Sequence, residues 1–442
     1  MKSVDMTSKH SQLSRRKVLG AIAGGAAFGV SGLVYGQAGR RGLPVPPQAI
    51  SADSLARDED FWREVAGYYD RTEGIVNLEH GYWGKMAHPV QNAFIEATKM
   101  VNAQNSFYAR KSYDDDARLS VHRVAQALGV HDDEIVITRN ATEAIHNLIR
   151  QYKGLTSNDA VLYADLDYPS FKDTMRWLEQ AYGAGSVEVE IPQRATQSEI
   201  LQRYVDAFDA NPNLKLMLIT HVSNQHGLVV PVADIAFQAK SRGIDVICDS
   251  AQSWGLLDFK VSDLNVDWAG FNLHKWIGSP IGVGALYMKR GSLSKIAPYP
   301  GESDPENSRA NTRVHMATSN FASILTIPDA IDFHESIGGQ NKEARLRYLR
   351  QLWTNEAESM SHIELLGGSD EESWTGMGSF RLQARNSVAD ARELQQRLEN
   401  DFGIFTVIRV GLASGSCVRI TPQVFTSPDE ISKLVDAMKS LA

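Results

Sequence analysis

Residues Asp245–Tyr287 read DVICDSAQSWGLLDFKVSDLNVDWAGFNLHKWIGSPIGVGALY, and two short apolar runs in that stretch decide the fold. The first, Asp245 to Cys248, has the pattern of a buried strand and runs into a carboxylate, Asp249, with Gln252 three residues on. The second, Trp268 to Phe271, closes on Asn272-Leu273-His274-Lys275. Asp249 and Lys275 are 26 positions apart, each just past a strand. Open α/β sheets bind ligands beyond the carboxyl ends of their strands, so the two groups can converge on one ligand. The cofactor that needs such a pair is pyridoxal phosphate. Its aldehyde forms a Schiff base with a lysine, and its ring nitrogen must stay protonated to draw in electrons, which calls for an aspartate. Surface lysines and strand-end aspartates are also common in α/β proteins at large. The flanking sequence has to decide.

Outward from this stretch, strands alternate with helices. Strand patterns cover Glu134–Thr138, Ala160–Ala164, Val187–Ile191 and Leu214–Thr220. Helical spacing falls on 89–102, 120–128, the residues after Thr142, 175–181, 199–208 and 232–241. This alternation predicts an α/β fold with a mostly parallel sheet. After the strand ending at Thr138, the turn Arg139-Asn140-Ala141-Thr142-Glu143 opens a helix. Its free N–H groups and dipole suit a phosphate, although Thr142 can equally serve as a plain cap. Tyr168 follows another strand end, where an aromatic can stack on a bound ring or fill the core. Beyond residue 300 the texture changes. Tyr299–Val314 reads as a long loop, Glu343–Ser361 as a helix, and Phe380–Leu441 as a smaller α+β unit whose last clear strand is Cys417–Ile420. The expected organisation is a segment 58–90, a large domain 91–300 and a small domain 301–442.

At 442 residues, 43% hydrophobic and 22% charged, the chain has the composition of a soluble globular protein with room for two domains. A net charge of −8 without a long basic run argues against nucleic-acid or anionic-membrane partners. Two cysteines, Cys248 and Cys417, provide neither a disulfide framework nor metal spacing. At the N-terminus, Ser14-Arg15-Arg16-Lys17-Val18-Leu19 precedes a short glycine-rich apolar run to Gly36. This resembles a twin-arginine export signal, placed at residues 1–38, and a linker rich in proline follows at 39–57. The run is too short and glycine-rich for stable membrane insertion. It implies passage through the twin-arginine translocase to the periplasm.

Seven ordered motifs then carry a family resemblance: NLEHGYWG from Asn77, TRNATEA from Thr138, HVSNQHG from His221, DSAQS from Asp249, NLHKW from Asn272, ATSN from Ala317 and VRITP from Val418. Together they resemble the class V aminotransferases, a family of fold-type I pyridoxal-phosphate enzymes that includes cysteine desulfurases and isopenicillin N epimerase-like proteins. The resemblance implies a seven-stranded, mostly parallel sheet flanked by helices, with a smaller C-terminal α+β domain. It implies that Lys275 is the Schiff-base lysine and Asp249 the partner of the ring nitrogen. Gln252 and Asn224 would bond the cofactor's phenolic oxygen. His274, Asn272, Ala141 and Thr142 would hold its phosphate, and Tyr168 would stack on its ring. Thr318 would reach the phosphate of a neighbouring subunit, making the protein a homodimer. Arg419 would clamp the substrate carboxylate, with His80 also on the substrate side.

The implied chemistry acts at the α-amino group or α-carbon of an amino acid, or of a peptide or siderophore derived from one. With the leader, the chain resembles exported class V enzymes that tailor siderophores such as pyoverdine. An epimerase, or a cysteine desulfurase or lyase, is the alternative. Desulfurases carry a loop cysteine, whereas Cys417 lies two residues before Arg419 on the same strand face. A non-catalytic pyridoxal-phosphate-binding protein is the weaker reading, since the lysine and aspartate are both present.

Overall fold

A computed structural model of the chain describes residues 42–304 and 309–442, so the leader expected at residues 1–38 lies outside the described residues. Strand β1, Val76–Asn77, comes first. The central sheet is then built from β2 Ile135–Thr138, β3 Ala160–Ala164, β4 Gly185–Val189, β5 Leu214–Thr220, β6 Asp245–Ser250, β7 Trp268–Asn272 and β8 Gly284–Met288. Its order is β2-β8-β7-β6-β5-β3-β4. Six strands run in one direction, and β8 alone runs against both its neighbours. Strands β3, β6, β7 and β8 are buried along their whole length, which explains their unbroken apolar runs.

This is the α/β architecture the strand–helix alternation predicts, in a mixed but mostly parallel seven-stranded form. Strand β8 was not separable by periodicity, because Gly284-Ala285-Leu286-Tyr287 follows a turn too short for a crossover helix. That shortness is what forces it antiparallel: parallel neighbours need a connection of a dozen or more residues. The strand expected at Val187–Ile191 forms two residues earlier, at Gly185–Val189, paired in parallel with β3. The helix expected at 89–102 extends over His88–Lys111.

The second sheet holds β9 Ile363–Leu366, β10 Gly378–Leu382, β12 Val407–Arg409 and β13 Cys417–Ile420 in the antiparallel order β12-β13-β10-β9. Strand β11, Ile404–Phe405, instead pairs in parallel with β1, joining the N-terminal segment to the C-terminal layer. A core around Leu349, Trp353, Phe380, Leu398, Val418 and Leu434 lies against this sheet. The main core runs from Trp62 through the central sheet to Ile331 and Val424. Near the start of the described chain, buried Arg345 donates to Ala56 O (2.9 Å) and pairs with Glu59. Among the described residues no helix is long and apolar enough to cross a membrane.

Candidate active site

The strand ends define the site. Thr142 follows β2, Tyr168 follows β3, Asn224 follows β5, Asp249 lies near the end of β6, and His274 and Lys275 follow β7. All sit at the carboxyl edge of the parallel strands, where such sheets bind ligands. With Asn272 and Gln252 they line one cavity of about 410 Å³. That volume is within the usual range for a cofactor-sized ligand.

Asp249 is 6% exposed, and its Oδ1 accepts the Ala251 N–H at 2.9 Å. Burial raises its pKa above the usual carboxylate range, against the lowering pull of the Ala251 N–H and Lys275. Lys275 is shifted the other way. Burial lowers its pKa from the ordinary lysine value, partly offset by Asp249, while Arg419 and Arg409 push it lower still. The result is an amine held toward its neutral, nucleophilic form and a carboxylate short of a cationic partner.

The turn after β7 is held from several sides. His274 Nδ1 lies 2.9 Å from Val283 O, and Leu273 N donates to the same carbonyl at 3.1 Å. Gly84 N donates to His274 O at 2.8 Å, and a Cβ on Gly84 would overlap the Lys275 carbonyl oxygen. Buried Lys342 donates to Trp276 O at 2.8 Å. Trp276 Nε1 donates to Gln252 Oε1 at 3.0 Å, and Gln252 Nε2 donates to Gly81 O at 2.9 Å. Gln252 therefore has one Nε2 hydrogen left to donate to a ligand.

The phosphate end differs in detail from the expectation. Ala141 N, assigned to an anion, donates instead to Asn272 Oδ1 at 2.8 Å, and Ala141 does not line the cavity. Asn140 Oδ1 caps Glu143 N at 2.8 Å. Thr142, with its N–H and hydroxyl, is the first-turn residue left facing the cavity, at the positive end of an 11-residue helix. Burial pushes His274 down to about 4. With Nδ1–H directed at Val283 O, its Nε2 can donate only as imidazolium, a form that a neighbouring phosphate dianion would favour.

Three other assignments lie outside this cavity. His80 is 3% exposed, donates from Nε2 to Asn77 O (3.0 Å), and packs edge-on against Phe425. It lines a separate cavity of about 670 Å³ with Lys85 and Glu430, because its side chain points to the opposite side of the chain from Gly81. Thr318 is exposed and lines neither cavity. Arg419 is fully buried: Nη1 donates to Asn224 O (2.7 Å), and Nη2 contacts both oxygens of Glu79 (2.6 and 2.8 Å). Its guanidinium is thus held in an internal ion pair and does not line the cavity. Tyr168 is 41% exposed, lines the cavity and packs edge-on against Phe171.

Sequence reasoning missed Arg409, which lines the cavity beside Lys275. The register explains why it stands there: Arg409 is directly opposite Cys417, and Val407 opposite Arg419, so both arginines share one face of the small sheet. No periodicity in a three-residue strand announces that. Tyr82, Trp83, Phe171, Ile281 and Gly282 also line the cavity.

The donor set fits pyridoxal phosphate. A buried carboxylate in need of a cation would hold the ring nitrogen, a lysine of lowered pKa would hold the aldehyde carbon, and a helix N-terminus with Thr142, Asn272 and His274 would hold the phosphate. Fold and site together define a fold-type I pyridoxal-phosphate enzyme. The model of the family described as aminotransferase class-V matches residues 100–431, and the chain belongs to that family. Among its relatives, isopenicillin N epimerase of Streptomyces clavuligerus is 26% identical over 397 residues, covering 86% of this chain and 98% of that protein. A cysteine desulfurase of Haloferax volcanii is 25% identical, covering 83% and 84%. Solved structures share the fold. A cystine C–S lyase, in complex with cysteine persulfide, has a TM-score of 0.72 at 20% identity, over 83% of this chain and 97% of that one. The cysteine desulfurase CsdA of Escherichia coli has a TM-score of 0.71 at 18% identity, over 86% and 98%.

Proposed function

We propose that this enzyme acts at the α-amino group and α-carbon of an amino acid, or of a peptide or siderophore built from one, in the periplasm after twin-arginine export. The observation that carries the chemistry is the meeting of Lys275 and Asp249 in one cavity, with opposite pKa shifts. Bound there, pyridoxal phosphate would supply an electron sink for the carbanion formed at the substrate's α-carbon. Asp249 would hold the ring nitrogen in its protonated form. Lys275, an amine held toward its neutral form, is the group placed to take a proton from the α-carbon and to return one. The turn around Thr142 and His274 would hold the phosphate end, with Tyr168 on the cavity wall.

Epimerisation and transamination both remain within reach of this machinery, since both begin with that proton transfer. A desulfurase mechanism using an enzyme thiol is disfavoured. Cys248 and Cys417 are both fully buried, and burial pushes their pKa values up to about 12 and about 11. A thiol so held is neither a thiolate nor accessible. Export is supported by the Arg15-Arg16 leader, and a homodimer by the family reading of Thr318, whose exposed side chain is free to meet a second copy. The test is product analysis by mass spectrometry after incubation with free amino acids and siderophore precursors. Absence of any change at the α-carbon across that panel, in protein loaded with cofactor, sinks the proposal.

A further inference from the structure

In the helix Gly339–Ala357, Arg347, Arg350, Gln351 and Asn355 fall on one face at the three- and four-residue spacing that makes helical neighbours. Arg347 is engaged: its Nε donates to Glu343 Oε1 at 2.8 Å and its Nη1 to Glu371 O at 3.0 Å. Arg350 is not. It is 5% exposed, and among the described residues its guanidinium makes neither a hydrogen bond nor an ion pair. Its Nε is closed off, while the two Nη atoms keep some surface. The group lies over the Trp374 ring, with Cζ 4.5 Å from the centroid. That contact offsets part of the cost of burying the charge but offers no acceptor for its N–H groups. A cation so buried is expensive unless an anion meets it. Beside it is a cavity of about 90 Å³, whose wall also includes Arg194, Gln351, Asn355 and Ser369. The amides of Gln351 and Asn355 and the Ser369 hydroxyl make no hydrogen bond among the described residues, so neutral donors stand around the guanidinium. Glu358 is the one carboxylate in the wall, and it is taken by Arg194 Nη2 at 3.1 Å. Burial pushes the Arg350 pKa down to about 9, and Arg194 and Arg347 push the same way against a weaker pull from Glu358.

We propose that this cavity binds one small tetrahedral oxyanion of the phosphate or sulfate class, held by the Nη edge of Arg350 with Gln351, Asn355 and Ser369. The site is separate from the cofactor cavity, with which it shares no lining residue. Its volume equals roughly three waters at about 30 Å³ each and falls far short of the ~300 Å³ at which cofactor-sized sites begin. The two Nη groups lie in a fixed plane and match two oxygens of one anion, whereas a halide offers a single point. The bound anion ties the helix to the 368–374 loop. That loop is joined to the large sheet's connections twice, by the bridge of Gly368 with Ala195 and by that of Trp374 with Leu228. Leu228 is four positions past Asn224, so the anion braces the segment that carries a cofactor-cavity residue.

The test is equilibrium dialysis of the full chain against radiolabelled inorganic phosphate, with pyridoxal phosphate present so that the other cavity is filled. One phosphate per chain should bind, and sulfate should compete for it. Affinity should fall about tenfold or more in Arg350→Met, which loses the charged donor. Asn355→Asp, which sets a carboxylate into the wall from an exposed position, should weaken binding to a similar degree. Thr142→Val, altered in the other cavity, should bind phosphate as wild type does. Melting curves at fixed ionic strength give a second readout. Phosphate should raise the melting temperature of wild type more than that of Arg350→Met. Without the anion, Arg350→Met should melt no lower than wild type, because it removes an unpaired buried charge. The site is overturned if wild type binds no phosphate at millimolar concentration, if Arg350→Met and Asn355→Asp bind it as wild type does, or if Thr142→Val alone abolishes binding. An Arg350→Met chain that melts lower without the anion would also overturn it, since the guanidinium would then be satisfied within the protein. Chloride that displaces phosphate at equal concentration would make the ligand a halide and overturn the oxyanion assignment.

Discussion

Arg419 and Glu79 form a buried ion pair that joins the small sheet to the N-terminal segment, with Nη2 at 2.6 and 2.8 Å from the two carboxylate oxygens. The residues lie 340 positions apart in the chain. Burial raises the Glu79 pKa, but Arg419, then Arg409, and the hydrogen bonds from Arg419 and Thr421 outweigh it, so the net shift is downward. Removing one partner leaves the other charged, buried and unpaired. Such losses are about 3–5 kcal/mol. Arg419→Met should therefore destabilise the protein by that order in denaturant unfolding, moderated where Arg409 moves in toward Glu79. A change under about 1 kcal/mol would contradict a structural role.

The same pair sets a pH dependence. A carboxyl whose folded pKa is depressed contributes stability that is present above its unfolded value, about 4.3 for glutamate, and is lost as pH falls through the folded value. Glu79→Gln should be less stable than wild type near neutrality, and the difference should shrink as pH is lowered below about 4. Equal gaps at neutral and acid pH would show that Glu79 titrates no differently in the folded state.

Lys275 gives a prediction on cofactor capture. Protein supplied with pyridoxal phosphate should gain a visible absorption band, and borohydride should fix the added mass on the tryptic peptide holding Lys275. Because burial holds this amine well below the usual lysine range, the capture rate should level off with rising pH well before the roughly 10.4 of an exposed lysine. A rate that climbs tenfold per pH unit through 9 would mean that Lys275 titrates like a surface amine.

Much of this was legible in the chain. The strands Ala160–Ala164, Leu214–Thr220 and Cys417–Ile420 have the limits that their apolar runs indicate, because strands buried along all or nearly all of their length impose that length on the sequence. Residues placed at strand ends, namely Thr142, Tyr168, Asn224, Asp249 and Lys275, converge because a parallel sheet brings those ends together whatever the register. What depended on register or on side-chain direction was not legible. Arg409 reaches the cavity through the pairing of β12 with β13, across a turn with Gly411 and Gly415 at positive φ. His80 faces away although its neighbour Gly81 lines the cavity. Glu79, silent in the sequence, takes up Arg419 across 340 positions, a contact that only the tertiary fold defines.

The leader makes a separate prediction. Arg15→Lys together with Arg16→Lys should hold the protein in the cytoplasm, measured by periplasmic fractionation of cells expressing the full chain. Delivery unchanged by the substitutions, or wild-type protein confined to the cytoplasm, would remove export from the proposal while leaving the chemistry of Lys275 untouched.

Gly84 offers the sharpest link between packing and chemistry. Its N–H donates to His274 O at 2.8 Å, and the backbone lies so close to the Lys275 carbonyl that an added methyl has no room. Its neighbour Lys275 O belongs to the turn that positions the lysine side chain, and that turn is also tied to Val283, Trp276 and Lys342. Overpacking of this kind costs typically 1–3 kcal/mol, relieved by backbone shifts in whichever segment yields. Residues 81–83 and the turn after β7 both border the cavity, so either shift reshapes the space around Lys275. Gly84→Ala should fold, with a circular dichroism spectrum like that of wild type, yet hold pyridoxal phosphate at least tenfold more weakly. Gly74→Ala is the control, since that glycine has open space around its Cβ position and lies away from Lys275; its positive φ of 74° makes the substitution strained but leaves the cavity alone. Equal cofactor affinity in Gly84→Ala and wild type would show that the close approach of the two segments does not govern the lysine.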